Sequence, residues 1–356
     1  MSTPSSNNGA NDLFLSLTPE RVLEAVEAAG LHTNPVCYAL NSYENRVYEV
    51  ELEDRSRIIA KFYRPSRWTI PQILEEHRFL QDLEKGEIPV CDVLPFPDGE
   101  TLKEIDGIFY SLFRRMGGRA PDEITPENAG RLGMLLARIH AVGVQSSGGD
   151  RWKLTPEKYI GRNVEWLMEQ GIVPIHLESR LRQTCDELIE IANRRLSGVA
   201  VQRIHGDFHQ GNLIERSGVF HVLDFDDMVV GPPVQDVWLL MPGRDDYSRN
   251  LRSIFLEGYE TFRPFDYGTL SLIEPLRAMR LVHYATWLAR RWHDPVFPVT
   301  WPHFGTEHYW QDTLSAIEET LVFARKSEAQ ALGIEPIIEV EEEELTNKDF
   351  FWDMED

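Results

Sequence analysis

The densest run of polar side chains in an apolar setting is Arg203-Ile204-His205-Gly206-Asp207-Phe208-His209-Gln210-Gly211-Asn212-Leu213-Ile214. Twelve residues after Asn212, a Val-Leu run ends in Asp224-Phe225-Asp226-Asp227. Phosphoryl transfer needs a carboxylate that orients an attacking hydroxyl and takes its proton. It also needs oxygen ligands that hold Mg2+ against nucleotide phosphates. The pattern Asp-x4-Asn followed by Asp-Phe-x supplies both. Taken singly, Asp207, Asn212 and Asp224 read as turn or cap residues. Their joint spacing, with a strand on either side, favours transfer chemistry. Asp226 and Asp227 add carboxylates that would tune or supplement a metal site. A second reading stays open: His205-x-Asp207-x-His209 has the makings of a metal site, and so of a metallohydrolase. His205 is read instead as a brace that bonds the loop backbone, and His209 as a lining or space-filling residue.

Other parts of a phosphoryl-transfer site lie upstream. Ile58-Ile59-Ala60-Lys61 ends a strand, which makes Lys61 the candidate for the α- and β-phosphates. Glu76 is the candidate partner for Lys61. Its neighbour Glu75 is barely separated from it by sequence, but Leu80 and Leu83 continue the helix face of Glu76. The turn Leu40-Asn41-Ser42-Tyr43-Glu44-Asn45-Arg46 stands where a phosphate-covering loop belongs. It has no glycine; Asn41 and Asn45 tolerate tight turns, and the Ser42 hydroxyl can donate to phosphate.

These residues need elements to position them. Thr18-Pro19-Glu20 opens a helix that Gly30 stops. Strands are expected at Val36–Leu40, Arg46–Leu52, Arg57–Tyr63, Val90–Leu94 and Ile108–Phe113, with a helix from Pro71 to Leu83. Gly117-Gly118 is the expected hinge. Helices are expected at Pro126–Val144, Pro156–Gln170, Leu177–Leu196, Tyr247–Phe262, Ile273–Trp292 and His308–Ala329. Short strands at Val201–His205, Asn212–Glu215 and Phe220–Phe225 interrupt them. The fold class is α+β and bilobal: a β-rich N-lobe with one principal helix, and a mainly helical C-lobe. The expected boundaries are a disordered leader at 1–14, a nucleotide-binding lobe at 15–117, a catalytic and substrate-binding lobe at 118–334, and an acidic tail at 335–356.

Composition narrows the partners. The 356 residues carry 58 acids and 36 bases, a formal net charge of −22, which disfavours a nucleic-acid partner. Ten acids against one base fall between Glu335 and Asp356, so the tail is expected to be solvated. The three cysteines, Cys37, Cys91 and Cys185, support neither a disulfide framework nor a zinc knuckle. The polar start from Met1 to Asn11 is not a signal peptide, and no apolar stretch approaches the ~18 residues of a membrane span. Arg277, Arg280, Tyr284, Trp287 and Arg291 fall on one stripe of a helix. The stripe is read as ion-paired to internal carboxylates rather than as a phosphate-binding site.

The segments Leu40–Tyr48, Lys61–Pro65, Gln72–His77, His205–Asn212, Gly231–Trp238 and Ile273–Leu281 together resemble the aminoglycoside-phosphotransferase branch of the protein-kinase-like fold. The resemblance is closer to the bacterial stress response kinase A family and extends over residues 15 to 325. It implies Asp207 as proton acceptor, Asn212 and Asp224 as Mg2+ ligands, with Asp224 also an active-site residue. It further implies Ser42 at the ATP site, and Lys61 and Glu76 as the ion pair that sets the phosphates. The implied activity is that of a cytoplasmic, monomeric serine/threonine protein kinase using ATP and Mg2+, linked to survival of oxidative and envelope stress. Two departures from ordinary protein kinases stand out. Gly206 replaces the arginine that usually precedes the catalytic aspartate, and eleven residues separate Asp224 from Asp236, too few for a long activation segment. A small-molecule kinase acting on an amino alcohol, sugar or antibiotic is the alternative, and a catalytically dead binding module a weaker one.

Overall fold

The structure, a computed structural model, describes residues 14–331. The expected leader, up to residue 13, and the acidic tail lie outside the described residues. The chain forms two compact units: Met1–Ile124 with Arg138–Arg151 and His209–Met228, and Thr125–Ala137 with Trp152–Phe208 and Val229–Asp356. The units are discontinuous in sequence, whereas the lobes expected at 15–117 and 118–334 are continuous. Among the described residues no helix is long and apolar enough to cross a membrane.

The first unit is built on an antiparallel sheet. Helix α1 (Pro19–Ala28) starts at Thr18, whose hydroxyl accepts from the Arg21 N–H at 3.4 Å. Strands β1 (Thr33–Leu40), β2 (Arg46–Leu52) and β3 (Arg57–Phe62) follow, then α2 (Ile70–Lys85), β4 (Val93–Leu94), β5 (Lys103–Ile105) and β6 (Ile108–Arg114). The strand order is β1-β2-β3-β6-β4, and β5 pairs with β6. Alternation aims Val50, Ile58, Ala60, Phe62, Tyr110 and Leu112 at Val22, Ala25 and Val26 of α1. Lys61, between Ala60 and Phe62, therefore faces the other side of the sheet. Thr69 and Gln72 form a capping box at the start of α2, and Ile73, Glu76, Leu80 and Leu83 are buried on it. The same unit holds the hairpin of β8 (Leu213–Arg216) and β9 (Val219–Val222).

Three expectations change here. The strand expected at Val90–Leu94 is only Val93–Leu94, because Val90 forms a parallel bridge to Val222 and Cys91 N–H donates to the Val222 carbonyl at 3.2 Å. The strand expected to reach Phe225 stops at Val222; Asp224 turns left-handed (φ 51°) and begins the 3-10 turn Phe225–Asp227. Gly117-Gly118 is not a free hinge. A Cβ on Gly118 would stand 2.1 Å from Ile214 Cγ2 and 2.7 Å from the Glu215 carbonyl oxygen, so this glycine permits close approach to β8. Arg119 and Glu215 close that approach with two backbone hydrogen bonds.

The second unit is mainly helical. It holds the start of α3 (Pro126–Gly143), then α4 (Arg162–Glu169), α5 (Ile175–Leu196) and the strands β7 (Gln202–Ile204) and β10 (Val229–Gly231), which pair antiparallel. It continues with α6 (Val234–Leu240), α7 (Asp246–Glu260), α8 (Ile273–Arg291), α9 (Val296–Thr300) and α10 (Glu307–Ala331). Buried Leu181, Leu188, Met279, Val282, Ile317 and Leu321 join α5, α8 and α10 in one core. The helix expected at Pro156–Gln170 is broken into a π-helical turn, Glu157–Gly161, and α4. Helix α6 was not expected: all seven of its residues are buried, so it lacks the polar face that marks a helix in sequence.

Candidate active site

In the sheet-bearing unit, hydrogen bonding to β2 and β6 on both sides fixes the backbone of Lys61. Its ammonium is buried and lies 3.2 Å from Glu76 Oε1, 3.2 Å from Asp224 Oδ1 and 3.2 Å from Asp226 Oδ1. Burial by itself would lower the Lys61 pKa. The carboxylates of Asp224, Asp226 and Glu76 outweigh it and hold the group well above an ordinary lysine. Glu76, not Glu75, meets the lysine. It stands on the buried face of α2, and its second oxygen accepts from Arg151 Nη2 at 3.1 Å, while Glu75 turns to Arg78 Nε at 2.9 Å. Burial raises the pKa of Glu76 against the pull of Lys61 and Arg151.

Asn212 and Asp224 flank the open end of the β8–β9 hairpin. Leu213 pairs with Val222, and Leu223 N–H donates to the Asn212 carbonyl at 2.9 Å, so the two residues meet at one end of the ladder. That geometry explains their spacing: one short hairpin fits between them. The Asp224 side chain is 54% exposed, and its left-handed backbone turns it away from the strand direction. Asp226 behaves differently. It is buried, its oxygens lie 3.2 Å from Lys61 Nζ and 2.8 Å from Arg67 Nη1, and its own carbonyl accepts from Arg151 Nη1 at 2.8 Å. Burial would raise its pKa, but Arg67, Lys61 and Arg151 hold it well below the usual carboxylate range. Asp226, expected to tune or supplement a metal site, is ion-paired here to the lysine and the arginine. Asp227 pairs with Arg67 Nη2.

The β1–β2 turn that carries half-buried Ser42 is held from beneath by Arg64. Its guanidinium donates to the Glu44 carbonyl at 2.8 Å and the Tyr43 carbonyl at 2.9 Å, and its N–H donates to Asn45 Oδ1 at 3.2 Å. Neither Asn41 nor Asn45 takes a positive φ, so the turn does not use the left-handed tolerance expected of them; buried Asn45 serves as an acceptor instead.

Asp207 belongs to the helical unit, just after β7. Gly206 (φ 83°) bends the chain there. Fully buried Asp236 of α6 accepts from the His205 N–H at 2.9 Å and the Gly206 N–H at 2.8 Å, locking the loop. Arg280 Nη1 of α8 lies 2.7 Å from Asp207 Oδ1. The histidines do not form a zinc pair. His205 is fully buried, and its Nδ1 accepts from the Asp207 N–H at 3.2 Å. His209 Nδ1 accepts from the Gly211 N–H at 3.0 Å, and its Nε2 faces Asn212 Nδ2 at 3.3 Å. Among the described residues no group of three or more His, Cys, Asp and Glu side chains is placed to hold a metal.

A family model described as the phosphotransferase enzyme family, APH, matches residues 38–273. The chain belongs to this family. The expected likeness to stress response kinase A is also shown. The chain is 37% identical over 317 residues to Stress response kinase A of Escherichia coli strain K12, covering 88% of this chain and 96% of that protein. It is 37% identical over 311 residues to the serine/threonine protein kinase RdoA of Salmonella typhimurium strain LT2, covering 87% and 94%. Among solved structures, an amicoumacin kinase, hAmiN, in complex with AMP-PNP, Ca2+ and Ami aligns with a TM-score of 0.66 at 20% identity, covering 83% of this chain and 92% of that one. A microcompartment-associated aminopropanol kinase aligns with a TM-score of 0.65 at 19% identity, covering 87% and 98%. At these identities the structural likeness speaks for the fold alone.

The phosphotransferase match spans Ser42, Lys61, Glu76, Asp207, Asn212 and Asp224, but ends before Arg280. Two charged residues around these candidates, Arg67 and Arg151, did not emerge from sequence reasoning, and neither did the contact made by Arg280. Arg280 was visible as part of the basic stripe on α8, and the expected internal pairing of that stripe is observed, with Arg277 Nε 3.3 Å from Glu274 Oε2. Nothing in sequence indicated that its carboxylate would be Asp207. The donor set offered by Asn212 and Asp224 is hard oxygen, which fits Mg2+. That ion keeps several waters and phosphate oxygens, so two protein ligands are enough.

Proposed function

We propose that this phosphotransferase moves the γ-phosphoryl group of ATP to Ser or Thr hydroxyls of proteins, in a stress response. The observation that carries the nucleotide half is the buried Lys61, which is held by Glu76 while also touching Asp224. A lysine fixed in this way is a ready counter-charge for phosphates. Asn212 and Asp224 would hold Mg2+, which would neutralise charge on the transferring group. Asp207 orients the acceptor hydroxyl. As the acceptor oxygen bonds to the γ-phosphorus, the bond to the β,γ-bridging oxygen breaks, ADP leaves, and the hydroxyl proton passes to the Asp207 carboxylate.

The protein acceptor rests on the likeness over nearly the whole chain to a relative named as a serine/threonine protein kinase. A second reading, a small-molecule kinase, draws on the aligned amicoumacin and aminopropanol kinases and on the eleven-residue stretch between Asp224 and Asp236. The test offers labelled ATP and Mg2+ with a protein mixture and, separately, a panel of small alcohols, beside Asp207→Asn. Labelled protein that is lost in Asp207→Asn supports the first reading. Rapid turnover of an alcohol with negligible protein labelling decides for the second. Equal labelling by both enzymes sinks the role of Asp207.

A further inference from the structure

A strip of cations crosses the helical unit of a chain whose formal net charge is −22. Lys158, on the π-helical turn, sets its ammonium over the Trp152 ring, 3.3 Å from the centroid. Arg162 follows four residues later at the start of α4, with a side chain 72% exposed. Trp166 stands one turn further along α4. The guanidinium of exposed Arg290, near the end of α8, lies 4.7 Å from the Trp166 ring centroid. Each of two aromatic faces thus holds a cation at the surface. Few carboxylates answer these charges. Arg162 has Glu157 at 3.9 Å, the outer limit of an ion pair. Among the described residues, no carboxylate stands at ion-pair distance from Lys158 or Arg290, and Glu165 and Glu169 of α4 pair with none of the three cations. Partial burial lowers the Lys158 pKa to about 8, and Arg162 adds to the effect. Partial burial, and then Arg291, lower that of Arg290. Lys158 and Arg290 are each crowded by another cation.

We infer that this strip docks a carboxylate-rich segment of the protein acceptor, so that the enzyme prefers Ser or Thr hydroxyls with acids a few residues away. The inference deepens the protein-kinase reading above and rests on it. Two observations choose the occupant. The first is charge: cations that lack carboxylates from their own chain gain most from those of a partner. The second is the connection to the acceptor carboxylate. The Trp152 carbonyl accepts from the Val230 N–H of β10 at 2.8 Å, and β10 pairs with β7, which leads into Asp207. Along α8, Arg280 touches Asp207 and Arg290 comes ten residues later, a rise of ~15 Å. An extended peptide covers that distance in ~4–5 residues. A hydroxyl at Asp207 would therefore carry its acids at roughly that separation.

Fluorescence anisotropy with the full chain tests this on labelled Ser peptides. One set carries a run of Glu about five residues from the Ser, on its N-terminal or its C-terminal side, and the other carries Gln there. Wild type should bind a Glu peptide more tightly than its Gln counterpart, and the margin should shrink as salt rises. Lys158→Gln, Arg162→Gln and Arg290→Gln should each cut the margin roughly 2- to 5-fold, the worth of an exposed ion pair. In the labelling assay, the KM for the Glu peptide should rise in these variants while kcat stays the same, which a general loss of structure would not produce. Equal binding of Glu and Gln peptides by wild type overturns the inference, as does a margin undiminished in the variants; both leave the kinase reading standing. A margin that emerges only after Glu341, Glu342, Glu343 and Glu344 are changed to Gln assigns the strip to the chain's own acidic run and overturns the acceptor as occupant. Labelling of small alcohols and of no protein removes the protein-kinase reading, and the docking with it.

Discussion

Arg280 Nη1 lies 2.7 Å from Asp207 Oδ1, an ion pair between α8 and the loop after β7 in which both side chains are largely buried. The Asp207 carboxylate is therefore held in one orientation by a guanidinium from a helix distant in sequence. Arg280→Gln should lower kcat by about 10²-fold, the cost of letting a reacting group drift by about 1 Å. Nucleotide affinity should stay the same, because Lys61, Glu76 and Asp224 keep their own partners. Arg280→Lys should recover part of the loss. Steady-state kinetics with a nucleotide titration separates the two effects; a fall in nucleotide affinity equal to the fall in kcat would refute the positioning role.

Lys61 neutralises buried Glu76 and Asp226, so its removal leaves charges stranded in the interior. Lys61→Met should abolish transfer and also destabilise the fold by about 3–5 kcal/mol, as when one partner of a buried pair is removed. Asp224→Asn should abolish transfer with a much smaller change in stability, since that side chain is half exposed. Denaturant unfolding of both variants checks the contrast.

His77, beside Glu76 on α2, is buried against Tyr63 and Thr101, with its Nε2 3.0 Å from the Tyr63 hydroxyl and its Nδ1 2.8 Å from Thr101 Oγ1. Burial pushes its pKa down to about 3, with Lys61 and Arg151 adding to the effect. The folded state thus keeps His77 neutral while the unfolded chain protonates it near 6.5. Its contribution to stability is complete above about pH 6.5 and falls as pH drops toward 3, by up to about 1.4 kcal/mol per unit. His77→Gln should flatten the unfolding free energy over that window relative to wild type. Parallel pH profiles of the two proteins would refute the assignment.

Gly118 lies against β8, where a Cβ would meet Ile214 and the Glu215 carbonyl. Gly118→Ala should cost about 1–3 kcal/mol through overpacking. It should also weaken Mg2+-dependent nucleotide binding, because Asn212 immediately precedes β8. A melting temperature equal to wild type would show that the segment moves aside freely.

Most of the regular elements were written in local pattern. The alternation in β2 and β3 and the capping residues of α2 act within a few residues, so periodicity reveals them. The choice of Glu76 over Glu75 was accessible for the same reason, since Leu80 and Leu83 mark the face on which Glu76 stands. Elements buried on every side, such as α6, and very short pairings, such as β5 and β10, carry no amphipathic signal. The end of β9 was missed because Asp224 takes a left-handed backbone that its residue type permits but does not demand.

The sequence alone determined the chemical vocabulary: a carboxylate, an amide and a second carboxylate at hairpin spacing, with a lysine at a strand end. These follow from covalent order and local periodicity. Only the tertiary structure decided how the charges are shared. Asp226 goes to Lys61 and Arg67, Glu76 to Lys61 and Arg151, and Asp207 to Arg280. Such pairings join residues far apart in the chain, and a charge chooses its partner by distance and burial, quantities that exist only once the chain has folded.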